Sequence, residues 1–109
     1  MAAKAYLMVR AVLAEAADRP RFDRWYESEH LPEAVAGFRA QRGWRCWSQT
    51  DPAVHYAFYE FADAAKAEAI QDSPGMAGLI NEFDRVWGGR VTRRRIIMEL
   101  AGEFAPGQG

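Results

Sequence analysis

The stretch Phe22-Asp23-Arg24-Trp25-Tyr26-Glu27-Ser28-Glu29-His30-Leu31-Pro32 carries the densest chemistry of the chain and organises its first half. Proline is favoured in the first turn of a helix, where its missing N–H has no partner to lose, so Arg19-Pro20 marks the helix entry. Phe22, Trp25, Tyr26 and Glu29 recur at helical spacing and define one face. His30 follows Tyr26 by four residues and Asp23 by seven, which puts it on the rim of that face. Pro32 disfavours helical geometry at Leu31, so the helix is expected to kink or restart immediately after His30. A titratable imidazole beside two large aromatics suits a catalytic or binding group. The same ring, half-buried and satisfied by a carbonyl, would be structural. The helix alone leaves both readings open.

Upstream, Ala5 to Leu13 is an almost unbroken apolar run of β-compatible residues, as expected of a strand buried on both faces. Leu7, Val9, Ala11 and Leu13 would share one side, and Tyr6, Met8, Arg10 and Val12 the other. Downstream, Glu33 to Ala36 is expected to add one helical turn, capped by Gly37 in the left-handed conformation. Phe38 to Gln49 reads as a second strand, with Trp44 and Trp47 on opposite faces, as are Arg42 and Arg45. Thr50-Asp51-Pro52 signals a turn into a third strand, Val54 to Phe61, close enough to pair as an antiparallel hairpin.

Asp63 is placed to cap a helix over Ala64 to Gln71, and Ser73-Pro74 to start another. Met76, Leu79, Ile80, Phe83, Val86 and Trp87 form an apolar stripe at helical period, which core packing accounts for. Gly88-Gly89 stops that helix, and Arg90 to Leu100 alternates into a fourth strand. The order strand, helix, strand, strand, helix, strand is the ferredoxin-like βαββαβ plan, a four-stranded antiparallel sheet with both helices on one face. One domain over residues 1–109 is expected, with its core in 5–100 and a flexible tail over 101–109.

Composition narrows the function. Half of the 109 residues are hydrophobic and 13% aromatic, which argues for a packed globule. A formal net charge of −1 gives no general attraction to nucleic acid or acidic membranes. The run Arg90-Val91-Thr92-Arg93-Arg94-Arg95 invites a nucleic-acid reading, yet on a strand Arg90 and Arg94 face one way and Arg93 and Arg95 the other. A charged edge strand, or ion pairs across a dimer interface, explains it better. The single cysteine, Cys46, excludes an internal disulfide and a cysteine-based zinc cluster, and reads as a half-buried thiol in a reducing compartment. No signal peptide or membrane span is evident, so a cytoplasmic protein is expected. Glu27 and Glu29 point to different sides of a helix and form no catalytic dyad. No phosphate loop, dinucleotide fingerprint or nucleophile elbow occurs.

An open antiparallel sheet with helices on one side should be polar on the other. Here the third strand puts Tyr56 and Phe58 on one face and Tyr59 and Phe61 on the other. Either face left in water would expose a patch above the roughly 300–600 Å² usual for monomers. An identical sheet related by a two-fold axis is the simplest cover, so a homodimer is expected.

The pattern Phe22…Trp25-Tyr26…Glu29-His30-Leu31-Pro32, followed by Gly37-Phe38 and a strand, resembles the dimeric α/β-barrel superfamily. Within it the chain looks most similar to EthD-like and antibiotic-biosynthesis-monooxygenase-like proteins. Ser73-Pro74-Gly75-Met76 with Phe83 and Trp87 resembles the second-helix region of the same superfamily. That resemblance implies fold and dimer, and a reactive pocket inside each subunit, between sheet and helices. It implies a choice of cofactor-independent oxygenase, cyclase or isomerase chemistry, with His30 as acid or base and Tyr26 beside it. Trp25, Asp23, Arg10 and Arg45 are the remaining candidates for binding an apolar aromatic or polyketide-like ligand or its oxyanion. A non-catalytic homodimer binding a small ligand is the alternative. The two histidines stand 25 residues apart without a partner at metal-ligand spacing, so no metal and no cofactor is expected, and His55 is expected to be exposed.

Overall fold

The computed structural model describes residues 3–107. Strands β1 (Ala5–Leu13), β2 (Arg42–Trp47), β3 (Val54–Phe61) and β4 (Val91–Glu99) form one sheet in the order β2-β3-β1-β4. All three pairings are antiparallel, so the chain has the ferredoxin-like plan. The tail residues Gln108 and Gly109 lie outside the described residues.

The first helical stretch is α1 (Arg19–Trp25), a π turn (Tyr26–His30) and α2 (Leu31–Phe38) without a break. A proline inside a helix clashes with the carbonyl four residues before it and offers no N–H. Pro32 would place that clash at Ser28. The chain absorbs it by widening the preceding turn, and the Leu31 N–H reaches back to the Tyr26 carbonyl. The Ser28 hydroxyl also donates to the Arg24 carbonyl at 2.7 Å, a bond that favours bending. The restart after His30 is therefore real, but Leu31 itself stays helical (φ −61°, ψ −50°).

α2 runs one residue past the expected Gly37 cap, and Arg39 (φ 55°) takes the left-handed position. Gly37 serves packing instead. A Cβ on Gly37 would press on Leu79 Cδ1 at 3.2 Å, and one on Gly75 would meet the Gly37 carbonyl oxygen at 2.6 Å, so it is Gly75 above all that lets α2 touch the start of the last helix. α3 (Ala64–Ala69) is capped by the Asp63 carboxylate, which accepts from the Lys66 N–H, and α4 (Pro74–Trp87) by the Ser73 hydroxyl, which accepts from the Met76 N–H.

The core lies between the sheet and the helices. Leu7, Val9, Ala11 and Leu13 from β1 pack there with Phe22, Tyr26, Phe83 and Trp87 from the helices. Phe22 is its hub, within 6.3 Å of six other rings, among them Trp47, His55, Phe83 and Trp87.

β1 is thus buried on one face only. Tyr6, Met8 and Val12 on the other face are half-exposed. Register extends that face across the sheet, because Met8 pairs with both Phe58 and Ile96, and Phe58 with Trp44. Trp44 stacks on Phe58 at 5.3 Å, and Ile96 and Met98 are 44% and 37% exposed. Cys46 is exposed on the same face, not half-buried as expected. No helix among the described residues is long and apolar enough to cross a membrane.

Candidate functional site

His30 and Tyr26, four residues apart around the π turn, face the sheet together, with ring centroids 4.8 Å apart. Between them and β1, β3 and β4 lies a cavity of about 20 Å³, walled by Leu7, Val9, Phe38 and Tyr59. Met76, Leu79 and Ile80 of α4 close the opposite side, so three members of the apolar stripe do more than fill the core. The remaining walls are Arg93 and Arg95, and no carboxylate lines the cavity among the described residues.

Both arginines come from the run read as edge defence or interface charge. Strand parity did separate Arg93 and Arg95 from Arg94. Only the pairing of β4 with β1 decides the face, setting Arg93 opposite Ala11 and Arg95 opposite Val9 on the helix side. The Arg93 guanidinium lies 3.7 Å from the centre of the Phe83 ring and 3.0 Å from the Asp84 carboxylate. Burial pulls its pKa below the usual arginine range.

His30 is 6% exposed, and its Nδ1 has no hydrogen-bond partner. Burial, reinforced by the positive charge of Arg93, lowers its pKa to about 4, against a smaller opposing effect of Glu82. The ring is neutral at neutral pH and able to accept a proton. Burial raises the Tyr26 pKa to about 12, although its hydrogen bond with Tyr59 (3.3 Å) pulls the other way. Tyr26 is thus a phenol, and a hydrogen-bond donor.

The other expected site residues lie elsewhere. Asp23 and Arg45 meet behind the Tyr26 ring, where Arg45 donates to Asp23 (2.7 Å), Glu27 (3.0 Å) and His55 Nε2 (3.2 Å). The Trp47 indole N–H donates to the same Asp23 oxygen at 2.7 Å. These hydrogen bonds, Trp47 first and Arg45 second, lower the Asp23 pKa. Contrary to expectation, His55 is fully buried, because Ala11 pairs with it on the helix-facing side. Burial and then Arg45 lower its pKa to about 3. Since Nε2 accepts from Arg45, the proton of the neutral ring sits on Nδ1, which has no partner among the described residues. Tyr26 stands between the two imidazoles, 4.5 Å from that of His55. Trp25 covers the outer side of His30 and opens onto a separate surface hollow with Arg21 and Arg24. Arg10 lies on the far face of the sheet, donating to the Tyr56 hydroxyl at 3.4 Å, and is not part of the cavity.

No family model matches this chain, and no curated protein matches it in sequence. Its fold does match solved structures. A cofactor-independent oxygenase, SnoaB from Streptomyces nogalater, superposes with a TM-score of 0.63 at 12% identity, over 96% of this chain and 99% of that one. A dimeric ferredoxin-like protein from an uncultured marine organism gives 0.61 at 15% identity, covering 94% and 99%. The chain has their fold. An EthD family protein from Bacillus halodurans C-125 gives 0.63 at 13% identity, covering 87% and 98%. These neighbours match the superfamily that the aromatic His-Leu-Pro helix resembles, and at such identities the likeness concerns the ferredoxin-like fold alone.

Proposed function

We propose that the protein is a homodimeric, cofactor-independent enzyme that takes an apolar aromatic or polyketide-like molecule into the cavity beside His30. His30 accepts a proton from an acidic O–H or C–H of that molecule, and Arg93 and Arg95 hold the anion that results. One observation carries the reading: a buried, neutral imidazole with an unpartnered Nδ1 lines a cavity whose charged lining, among the described residues, is two cations. Such a pocket penalises an imidazolium alone and favours an imidazolium paired with an anion. Tyr26 stays protonated and donates a hydrogen bond to the same oxygen. The oxygenase named among the structural neighbours fits this reading. The half-exposed apolar face of the sheet supports the dimer, as two such faces cover each other. The exposed Cys46 thiol fits a reducing cytoplasm.

A second reading follows from the lowered His30 pKa. A ring that protonates only near pH 4 is a weak base, and serves a non-catalytic binder as a neutral hydrogen-bonding contact. Calorimetric titration with 1-naphthol and 1,8-dihydroxyanthrone, in buffers of different ionisation enthalpy, separates the two. Proton transfer to His30 on binding requires a buffer-dependent heat that vanishes in His30→Ala, together with oxygen uptake or product formation in the wild type. A buffer-independent heat without turnover assigns the protein to the binders. No heat with any hydroxyaromatic sinks both.

A further inference from the structure

The cavity beside His30 has room for about one water molecule, whereas ligand pockets usually span roughly 300–1,000 Å³. Space of the right size lies next door. A groove of about 410 Å³ runs between the end of α2 and α3, over Phe61 and Ile70. Phe38 lines both spaces and is the wall between them. Its ring packs edge-on against Tyr59, with centroids 5.2 Å apart and planes at 87°. Tyr59 in turn bonds Tyr26, so the wall belongs to the same set of rings as His30. Side chains occupy discrete rotamers, so the motion that would open this wall is a change of well at Phe38.

The groove has its own chemistry. Its floor is apolar, its rim carries Arg39 and Lys66, and no carboxylate lines it among the described residues. Both cations are exposed, and neither forms an ion pair among the described residues.

We propose that Phe38 is a gate joining the His30 cavity to this groove, and that the joined site takes an elongated amphipathic anion. The flat apolar body passes Phe38 toward His30, and a carboxylate, sulfonate or phosphate at its far end meets Arg39 and Lys66. This rests on the reading of the His30 cavity as a ligand site and adds a second, charged end to it.

The test uses the full-length protein and two matched probes, 1-anilinonaphthalene-8-sulfonate and its uncharged analogue N-phenyl-1-naphthylamine, followed by fluorescence titration. The double variant Arg39→Gln, Lys66→Gln is expected to weaken the sulfonate by about tenfold and the neutral probe by less than about twofold, the signature of a charge contact. Phe38→Trp, which enlarges the wall, is expected to weaken both probes by about tenfold, and Phe38→Leu to speed the association of both. Equal effects of the double variant on both probes would overturn the anion end. Wild-type affinity in Phe38→Trp, with circular dichroism confirming its fold, would overturn the gate. His30→Ala separates this proposal from the enzymatic one: it removes buffer-dependent heat while leaving the charge dependence of sulfonate binding in place.

Discussion

The imidazole of His30 stacks on the indole of Trp25, with ring centroids 4.7 Å apart and planes 17° from parallel. The two residues are five positions apart, which on an ideal α-helix would separate them by about 140° around the axis. The π turn removes most of that separation, and the π turn exists because of Pro32. Pro32→Ala restores a donor four residues after Ser28 and relieves the ring clash. The expected outcome is an unchanged or higher melting temperature, with loss of the thermal shift that 1-naphthol induces in the wild type. An intact ligand response would show that the π turn has no part in aiming His30.

Acid should unfold this protein in a defined window. His30 and His55 have folded-state pKa values of about 4 and about 3, both below the unfolded value near 6.5. Between these limits the unfolded chain binds protons that the folded chain refuses. The stabilisation is complete above about pH 6.5 and is lost as the pH falls, at up to about 1.4 kcal/mol per pH unit for each histidine. In urea melts from pH 7 to 4, His55→Phe should be less stable than wild type at pH 7 yet show a shallower pH slope. An unchanged slope would remove His55 from the account.

The uncovered sheet face makes the assembly testable. Ile96 lies on that face in the edge strand β4, opposite Met8, and is already 44% exposed in the single chain. Ile96→Asp should therefore spare the fold and change the mass. Sedimentation velocity at micromolar concentration is expected to give a dimer for wild type and a monomer for the variant. A wild-type monomer would end the dimer proposal.

Two glycines of α4 should respond in opposite senses. A Cβ on Gly75 would sit 2.6 Å from the Gly37 carbonyl oxygen, whereas one on Gly78 meets nothing within 4 Å. Gly78→Ala should stabilise by about 0.5–1 kcal/mol through helix propensity alone. Gly75→Ala should destabilise by about 1–3 kcal/mol, because backbone gives way less readily than a side chain. Chemical denaturation of both variants checks the pair.

Much of this was legible in the chain. β3 was bounded correctly because Asp51-Pro52 and Asp63 punctuate an unambiguous run, and β1 because its apolar pattern has no competitor. Capping chemistry located the starts of α3 and α4. The Gly37 cap failed because the helix runs one residue past it, to Phe38, and Arg39 takes the left-handed position, while Gly37 packs against Leu79 of the last helix. His55 was misread because a residue near a turn is exposed only if its face of the strand is, and parity alone does not name the face.

By itself, the sequence determined local order and alternation: which segments are helix or strand, which residues share a side, and that one sheet face is too apolar for water. It also singled out His30 and Tyr26, since four residues on one helical stretch are neighbours whatever the fold. What stands opposite them came from contacts between elements far apart in the chain. Register set Arg93 and Arg95, distant in sequence, across the cavity from His30, and set Arg10 on the far face. It also drew Asp23 and Arg45 away to His55. The reason is physical: side-chain period is a local property of the backbone, whereas the partner across a sheet or beneath a helix depends on how the whole chain closes.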